Sequence, residues 1–207
     1  MATPTVFGAA YSVYVRAVRL ALEEKGVEYR LEAVDIFAED GPSAGYQRRH
    51  PFLRIPAFEH DGFRLYETGA ITRYVDAAFP GPALMPAAPQ ERARADQIIA
   101  ILDAYAYRTW VWDIFVERTK DAPDEARIAA ALPRAETCLA AIAALMEGDA
   151  FFLGDAPTLP DFHAAPMFAP FRGTSEGEGL LAGHSRWQVW WAKMSERPSM
   201  AATQSPG

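Results

Sequence analysis

The sequence predicts an α/β unit followed by an all-α one. Short β-rich runs alternate with helical periodicity over residues 1–79. The stretch PGPALMPAAPQ (80–90), with four prolines, then breaks that pattern. Beyond it no convincing strand can be read, and all five tryptophans of the chain lie there.

The elements follow in order. PTVF (4–7) is a short β-rich run. From Ser12 to Lys25, apolar residues fall at 13, 17, 20 and 21 and again at 15, 18 and 22, so a helix buried on more than one side is expected, stopped by Gly26. YRLEAVDI (29–36) alternates and reads as a strand. A β-α-β order over so short a span implies a right-handed crossover and parallel pairing. Residues 37–52 are irregular. AFEH and FRLY flank Asp61-Gly62, a strong hairpin signal. A helix over 67–79 places Ile71, Val75 and Ala78 on one face. The result is a mixed four-stranded sheet with helices packed on it.

After the linker, 91–119 reads as one long helix with Ile98, Ile101, Leu102, Tyr105, Thr109, Trp112 and Val116 at 3–4 spacing, and 124–147 as a second. TLPDFHAAPMFAPF opens with Thr158 and Asp161 three apart, a capping box with Asp in place of Glu. A last helix covers 186–197 and is closed by Arg197-Pro198. The expected domains are 1–79 and 91–207, with 80–90 between them.

Composition narrows the function. The chain has 207 residues, half of them hydrophobic, and a formal net charge of −7, which argues against nucleic acid or an anionic membrane as partner. No long uninterrupted apolar run is read, and Arg16 and Arg19 break up the apolar start, so neither a membrane span nor a signal peptide is expected. The single cysteine, Cys138, excludes an intrachain disulfide and a thiolate zinc site, and it reads as a structural thiol on a packed helix face. The histidines, His50, His60, His163 and His184, show no ligand spacing, so no metal is expected. A soluble cytoplasmic protein is the default.

LRIPAFEHDGFRLYETGAITRYV (53–75) is the most specific stretch. Pro56 stands where a strand should be gaining hydrogen bonds, and Glu67-Thr68 stands where the next strand hands over to a helix. With LEEKGVEYRLEAVD, GDAPTLPDFHAAPMF and WWAKMSERPS, in this order and spacing, it resembles the glutathione transferases over almost the whole chain. The resemblance implies a thioredoxin-like first domain and an all-helical second. It implies a cis peptide bond before Pro56, with the backbone N–H and C=O of Ile55 pairing with the cysteinyl unit of glutathione, as an added strand would. Thr68, at a helix N-terminus, suits the γ-glutamyl carboxylate, and Glu67 suits the γ-glutamyl ammonium.

Glutathione would be the co-substrate and a small hydrophobic electrophile its partner. The family stabilises the glutathione thiolate with a hydroxyl near the first helix. GAAYSVYVRAVRL offers Tyr11, Ser12 and Tyr14; the register of the serine-type classes falls on Ser12, and Tyr11 is the alternative. The His-Lys pair with which some serine classes hold the glycine carboxylate is missing, since the matching stretch is EDGPSAG. Arg54, His50, Arg48 or Arg49 takes that role. The family's electrophile pocket lies between its domains, and the residues that match it are Tyr11, Tyr14, Tyr105, Arg108 and Trp112. The resemblance also implies a homodimer. Glutathione-dependent isomerisation and a non-catalytic glutathione-transferase-like binding module are the alternative functions.

Overall fold

The computed structural model describes residues 2–205, and the expected sheet forms at its start. Thr5–Phe7 (β1) pairs in parallel with Arg30–Glu32 (β2) and antiparallel with Ala57–His60 (β3), which pairs antiparallel with Phe63–Tyr66 (β4). The sheet order is β2-β1-β3-β4. β2 is shorter than the alternating run 29–36 suggests, because the chain leaves this edge strand after Glu32. The β3–β4 turn is Asp61-Gly62 with φ of 50° and 79°, the paired left-handed geometry of a tight hairpin.

Val13–Glu24 (α1) buries Val15, Ala17, Val18, Leu20, Ala21 and Leu22, as its two apolar stripes require. Thr68–Ala78 (α2) packs beside it and buries Ile71 and Val75. Val6 and Phe58, opposite each other in register, complete this core. Lys25 ends α1 and is buried. Its Nζ donates to Asp76 Oδ1 at 3.2 Å and to the carbonyls of Asp76 and Pro82, each at 3.0 Å. Asp76 Oδ1 in turn accepts from Leu84 N–H at 2.7 Å, which ties the proline-rich exit to the ends of both helices.

This first compact unit comprises the chain up to Leu84 together with the stretch from Arg197 onward. The expected helical half runs to 207, but Pro198–Ala202 (α8) returns to α1 instead. Arg16 donates to Met200 O at 2.9 Å, and Arg19 to the carbonyls of Thr203 and Ala202 at 3.0 and 3.1 Å. Glu24 accepts from Arg197 and Ser199. These polar anchors on one face of α1 are invisible to an apolar pattern.

The second unit, Met85–Glu196, is helical. Pro89–Ile101 (α3) begins inside the expected linker with proline in its first turn. It continues as a wider, π-type helix over Leu102–Val116. The expected stripe at 105, 112 and 116 is therefore not the buried one. Leu102, Ala106, Trp110 and Ile114, four apart, are buried, while Tyr105 is exposed.

Glu125–Leu145 (α4), Leu159–Arg172 (α5), Ser175–Leu181 (α6) and Ser185–Ser195 (α7) follow. α6 has no apolar period in SEGEGLL. It is held by the Thr174 cap on Gly177 N–H and by the Arg118–Glu176 pair. By length and composition α4 could cross a membrane, a property the run-by-run reading misses because charged residues interrupt its apolar runs. Its buried residues, Ile128, Ala131, Ala135, Cys138, Leu139 and Ile142, keep helical spacing within this unit. The core is aromatic: Trp110 stacks on Phe171 at 5.2 Å and Phe168 on Trp187 at 5.0 Å.

Candidate functional site

In the first unit the structure gathers most of the expected site residues around the ends of β1 and β3. Gly8 follows β1 and leaves no room for a side chain, since a Cβ there would lie 2.4 Å from Val15 Cγ2 and 3.3 Å from Ile55 Cβ. That close approach sets the loop before α1 beside Ile55. The sequence reading does not single out Gly8, although a glycine closing a strand is the available signal.

Ser12 is the N-cap of α1. Its Oγ accepts from Val15 N–H at 3.4 Å, a long contact that uses a lone pair and leaves the hydroxyl proton to be donated. Tyr11 is 57% exposed, and burial, with a smaller contribution from Asp35, pushes its phenol pKa up, away from easy ionisation. Tyr14 is half-buried on the first turn of α1.

The Ile55–Pro56 peptide is cis. Among the described residues, neither the Ile55 N–H nor its C=O has a hydrogen-bond partner. Tyr46, also absent from the sequence reading, is buried and donates its hydroxyl to Arg54 O at 2.8 Å, fixing the approach to this peptide; burial pushes its pKa up to about 12. Leu53, with φ of 52°, sits in the left-handed region that a leucine rarely enters.

Glu67 is the N-cap of α2, exposed, with φ of 71°. A non-glycine residue held there costs about 1–3 kcal/mol, and such outliers gather at functional sites. Thr68 is buried at the first position of α2, where backbone N–H groups lack helical partners.

His50 lies against Tyr66, ring centroids 4.9 Å apart, and senses the charges of both Glu67 and Arg54. Burial pulls its pKa down, with Arg54 adding to that and Glu67 opposing it, so it is a neutral imidazole at pH 7 and serves a carboxylate only as a hydrogen-bond donor. The other basic residues separate. Arg48 folds over Gly45, and Arg49 lies on the Phe7 ring at 4.4 Å, facing Glu59. The Arg54 side chain makes no ion pair among the described residues.

In the second unit, Tyr105 is 63% exposed and Trp112 half-buried. Arg108 turns to Asp113, Nε to Oδ1 at 3.1 Å. Each unit also carries a cavity. One, of about 600 Å³, opens on the sheet beside Arg30, Glu32, Arg49 and Glu59, and another, of about 310 Å³, lies by Gly148, Phe151 and Arg186. Of the candidate residues, Arg49 alone lines either of them. Cys138 is buried, its pKa pushed up to about 11, so its thiol stays protonated and inert. Among the described residues, no group of His, Cys, Asp and Glu could hold a metal ion.

Family models match the chain at residues 6–83, a glutathione S-transferase N-terminal domain, and at 125–192, a glutathione S-transferase C-terminal domain. A probable glutathione S-transferase, GSTF1, from Oryza sativa subsp. japonica is 26% identical, across 97% of this chain and 96% of that one. A stringent starvation protein A homolog from Pasteurella multocida is 27% identical, across 94% and 87%. Among solved structures, glutathione transferase F2 from Populus trichocarpa superposes with a TM-score of 0.83 at 24% identity, covering 97% of this chain and 96% of that one.

Proposed function

Because the chain belongs to the glutathione S-transferase family, with a thioredoxin-like mixed sheet followed by an all-helical half, we propose that it activates the thiol of glutathione as a thiolate for attack on a small hydrophobic electrophile. The observation that carries this reading is Ser12. It caps α1 with a lone pair and keeps its proton to donate, and the N–H and C=O of Ile55, which Gly8 approaches closely, are open to a peptide. In this reading Ile55, next to Pro56, pairs with the cysteinyl backbone of glutathione. Glu67 holds the γ-glutamyl ammonium and Thr68 with the α2 N-terminus its carboxylate. Arg54, with His50 as a neutral donor, holds the glycine carboxylate. Tyr11, Tyr14, Tyr105, Arg108 and Trp112 serve the electrophile. The compartment proposed is the cytoplasm.

Glu67→Ala and Thr68→Ala each weaken glutathione binding by about 1.5–3 kcal/mol, the worth of one charge-assisted contact, with the fold intact. Calorimetric titration reads this; unchanged affinity in both variants places the γ-glutamyl end elsewhere.

A non-catalytic glutathione-binding module is the second reading, supported by the likeness to a stringent starvation protein A homolog, whose name claims no transferase activity. Retention on immobilised glutathione without turnover of 1-chloro-2,4-dinitrobenzene or a broad electrophile panel decides for it. Glutathione-dependent isomerisation has no particular residue in its favour.

A homodimer belongs to the same proposal, with α2 and the helix through residues 89–116 as contacts. Phe52, Phe63 and Tyr66 are exposed on the first unit, and Phe52 and Tyr66 lie 6.2 Å apart, an apolar surface of the kind that partners cover. Light scattering at micromolar concentration gives twice the chain mass if this holds; a species of one chain's mass rejects it.

A further inference from the structure

We propose that Tyr46 is a positioning residue: its hydroxyl sets the Arg54–Ile55 peptide so that the Ile55 N–H is aimed and strengthened as a donor to the cysteinyl backbone of glutathione, a ligand whose identity rests on the reading above. All the contacts involved lie in the first unit. Tyr46 is 3% exposed and donates its hydroxyl to Arg54 O at 2.8 Å. Burial pushes its pKa up to about 12 against the opposing charge of Arg49, so the phenol keeps this proton at neutral pH. Arg54 O accepts from no other donor among the described residues.

Arg54 C=O and Ile55 N–H belong to one planar group. Their bond is trans, since among the described residues only Ile55–Pro56 is cis, so the oxygen and the hydrogen point to opposite sides. A donor that fixes the oxygen therefore fixes the direction of the N–H. It also polarises the group. A carbonyl that accepts a hydrogen bond draws charge through the amide and makes its N–H a better donor, the cooperative strengthening of hydrogen-bonded chains. The Ile55 N–H has no partner among the described residues, so the gain is available to a ligand.

The intervening segment is braced to hold this contact. Tyr46 opens a single 3₁₀ turn, Tyr46–Arg48, and its carbonyl accepts from Arg49 N–H at 2.8 Å and His50 N–H at 3.0 Å. His50 O accepts from Leu53 N–H at 3.0 Å, and Leu53, with φ of 52°, turns the chain. The Tyr46 hydroxyl then meets Arg54, eight residues on, and closes the loop on itself. The competing account is that Tyr46 only fills space behind the loop. Its ring would then carry the whole role, and phenylalanine, which keeps the ring, would leave ligand binding as it is.

The test is Tyr46→Phe in the full chain. Calorimetric titration of glutathione, and of S-methylglutathione, which has no thiol to ionise, should show both bound about two- to tenfold more weakly, the scale of one net hydrogen bond. With 1-chloro-2,4-dinitrobenzene, KM for glutathione should rise by a similar factor while kcat at saturation falls by less, the mark of lost binding rather than lost chemistry. The melting temperature should fall by no more than about 6 °C. Independently of any ligand, the Ile55 amide nitrogen resonance should move upfield in the free variant, because its shift follows hydrogen bonding at the preceding carbonyl. Unchanged affinity for both ligands, in a protein that binds glutathione, overturns the proposal and leaves the glutathione reading intact. Weaker binding with an unmoved Ile55 resonance rejects the route through this peptide. If the unaltered protein binds neither ligand, the glutathione reading fails and takes the named ligand with it. The Ile55 resonance then decides alone whether Tyr46 sets the peptide, and an unmoved one rejects that too.

Discussion

Ser12→Ala is expected to lower kcat/KM by about 10- to 1000-fold, the range for losing one donor to a resident or developing anion. A free thiol has a pKa near ~8.5, so at pH 7 little of it is thiolate. Lowering that value by about two units takes roughly 2.7 kcal/mol of preferential stabilisation, which a single well-aimed hydroxyl donor can approach. The Ser12 hydroxyl has the free proton this requires, since Val15 N–H engages only a lone pair. The thiol pKa in the glutathione complex, followed by thiolate ultraviolet absorbance, should rise toward its value in water. Glutathione affinity should change far less if Ile55, Glu67 and Thr68 hold the tripeptide.

Loss of the cap is a separate effect. An N-cap serine is worth about 0.5–2 kcal/mol, and the 3.4 Å contact places Ser12 toward the lower end. A thermal melt separates that stability loss from the loss of rate. Tyr11→Phe and Tyr14→Phe should leave the thiol pKa where it is. The opposite pattern, a raised thiol pKa in Tyr11→Phe and none in Ser12→Ala, makes the tyrosine the donor. No effect from any of the three leaves only backbone N–H groups at α1, or no conjugation chemistry.

What the sequence discloses depends on whether a feature is local. The Asp61-Gly62 hairpin, the Ser12 and Thr158 caps and the Gly26 stop are written in adjacent residues, and each is found where the pattern puts it. The widening of Leu102–Val116 is different. Its aromatic residues fit a 3–4 stripe on paper, and only packing shows that the buried line runs at steps of four. α6 and α8 are short, and polar contacts made far along the chain hold them. The candidate site divides in the same way. Ser12 and Glu67-Thr68 can be read from register and from helix starts. Which of Arg48, Arg49 and Arg54 is free for a ligand cannot, because side-chain directions in an irregular loop are set by Gly45, Phe7 and Glu59 across space.

Asp161→Asn is expected to cost about 3–5 kcal/mol, the scale for breaking a buried charged hydrogen-bond network. Asp161 is wholly buried, and donors meet both of its oxygens. Oδ1 accepts from Phe152 N–H at 3.0 Å and from Trp190 Nε1–H at 2.7 Å; Oδ2 accepts from Thr158 N–H at 2.8 Å and from its hydroxyl at 2.9 Å. Burial pushes the Asp161 pKa up, and these donors pull it back. The carboxylate thus closes the α5 capping box, holds the loop at Phe152 and fixes an indole of the aromatic core in one place. Asparagine is nearly isosteric, but its NH₂ would face donors at one of the two positions. No rotamer relieves this, because each oxygen has donors only. For a chain of this size the loss corresponds to a fall in melting temperature of roughly 6–20 °C. Differential scanning calorimetry of the variant reads it directly. A shift of under about 2 °C would mean that water or a rotated side chain replaces the network at little cost, and that the aromatic core alone holds α5 and α7.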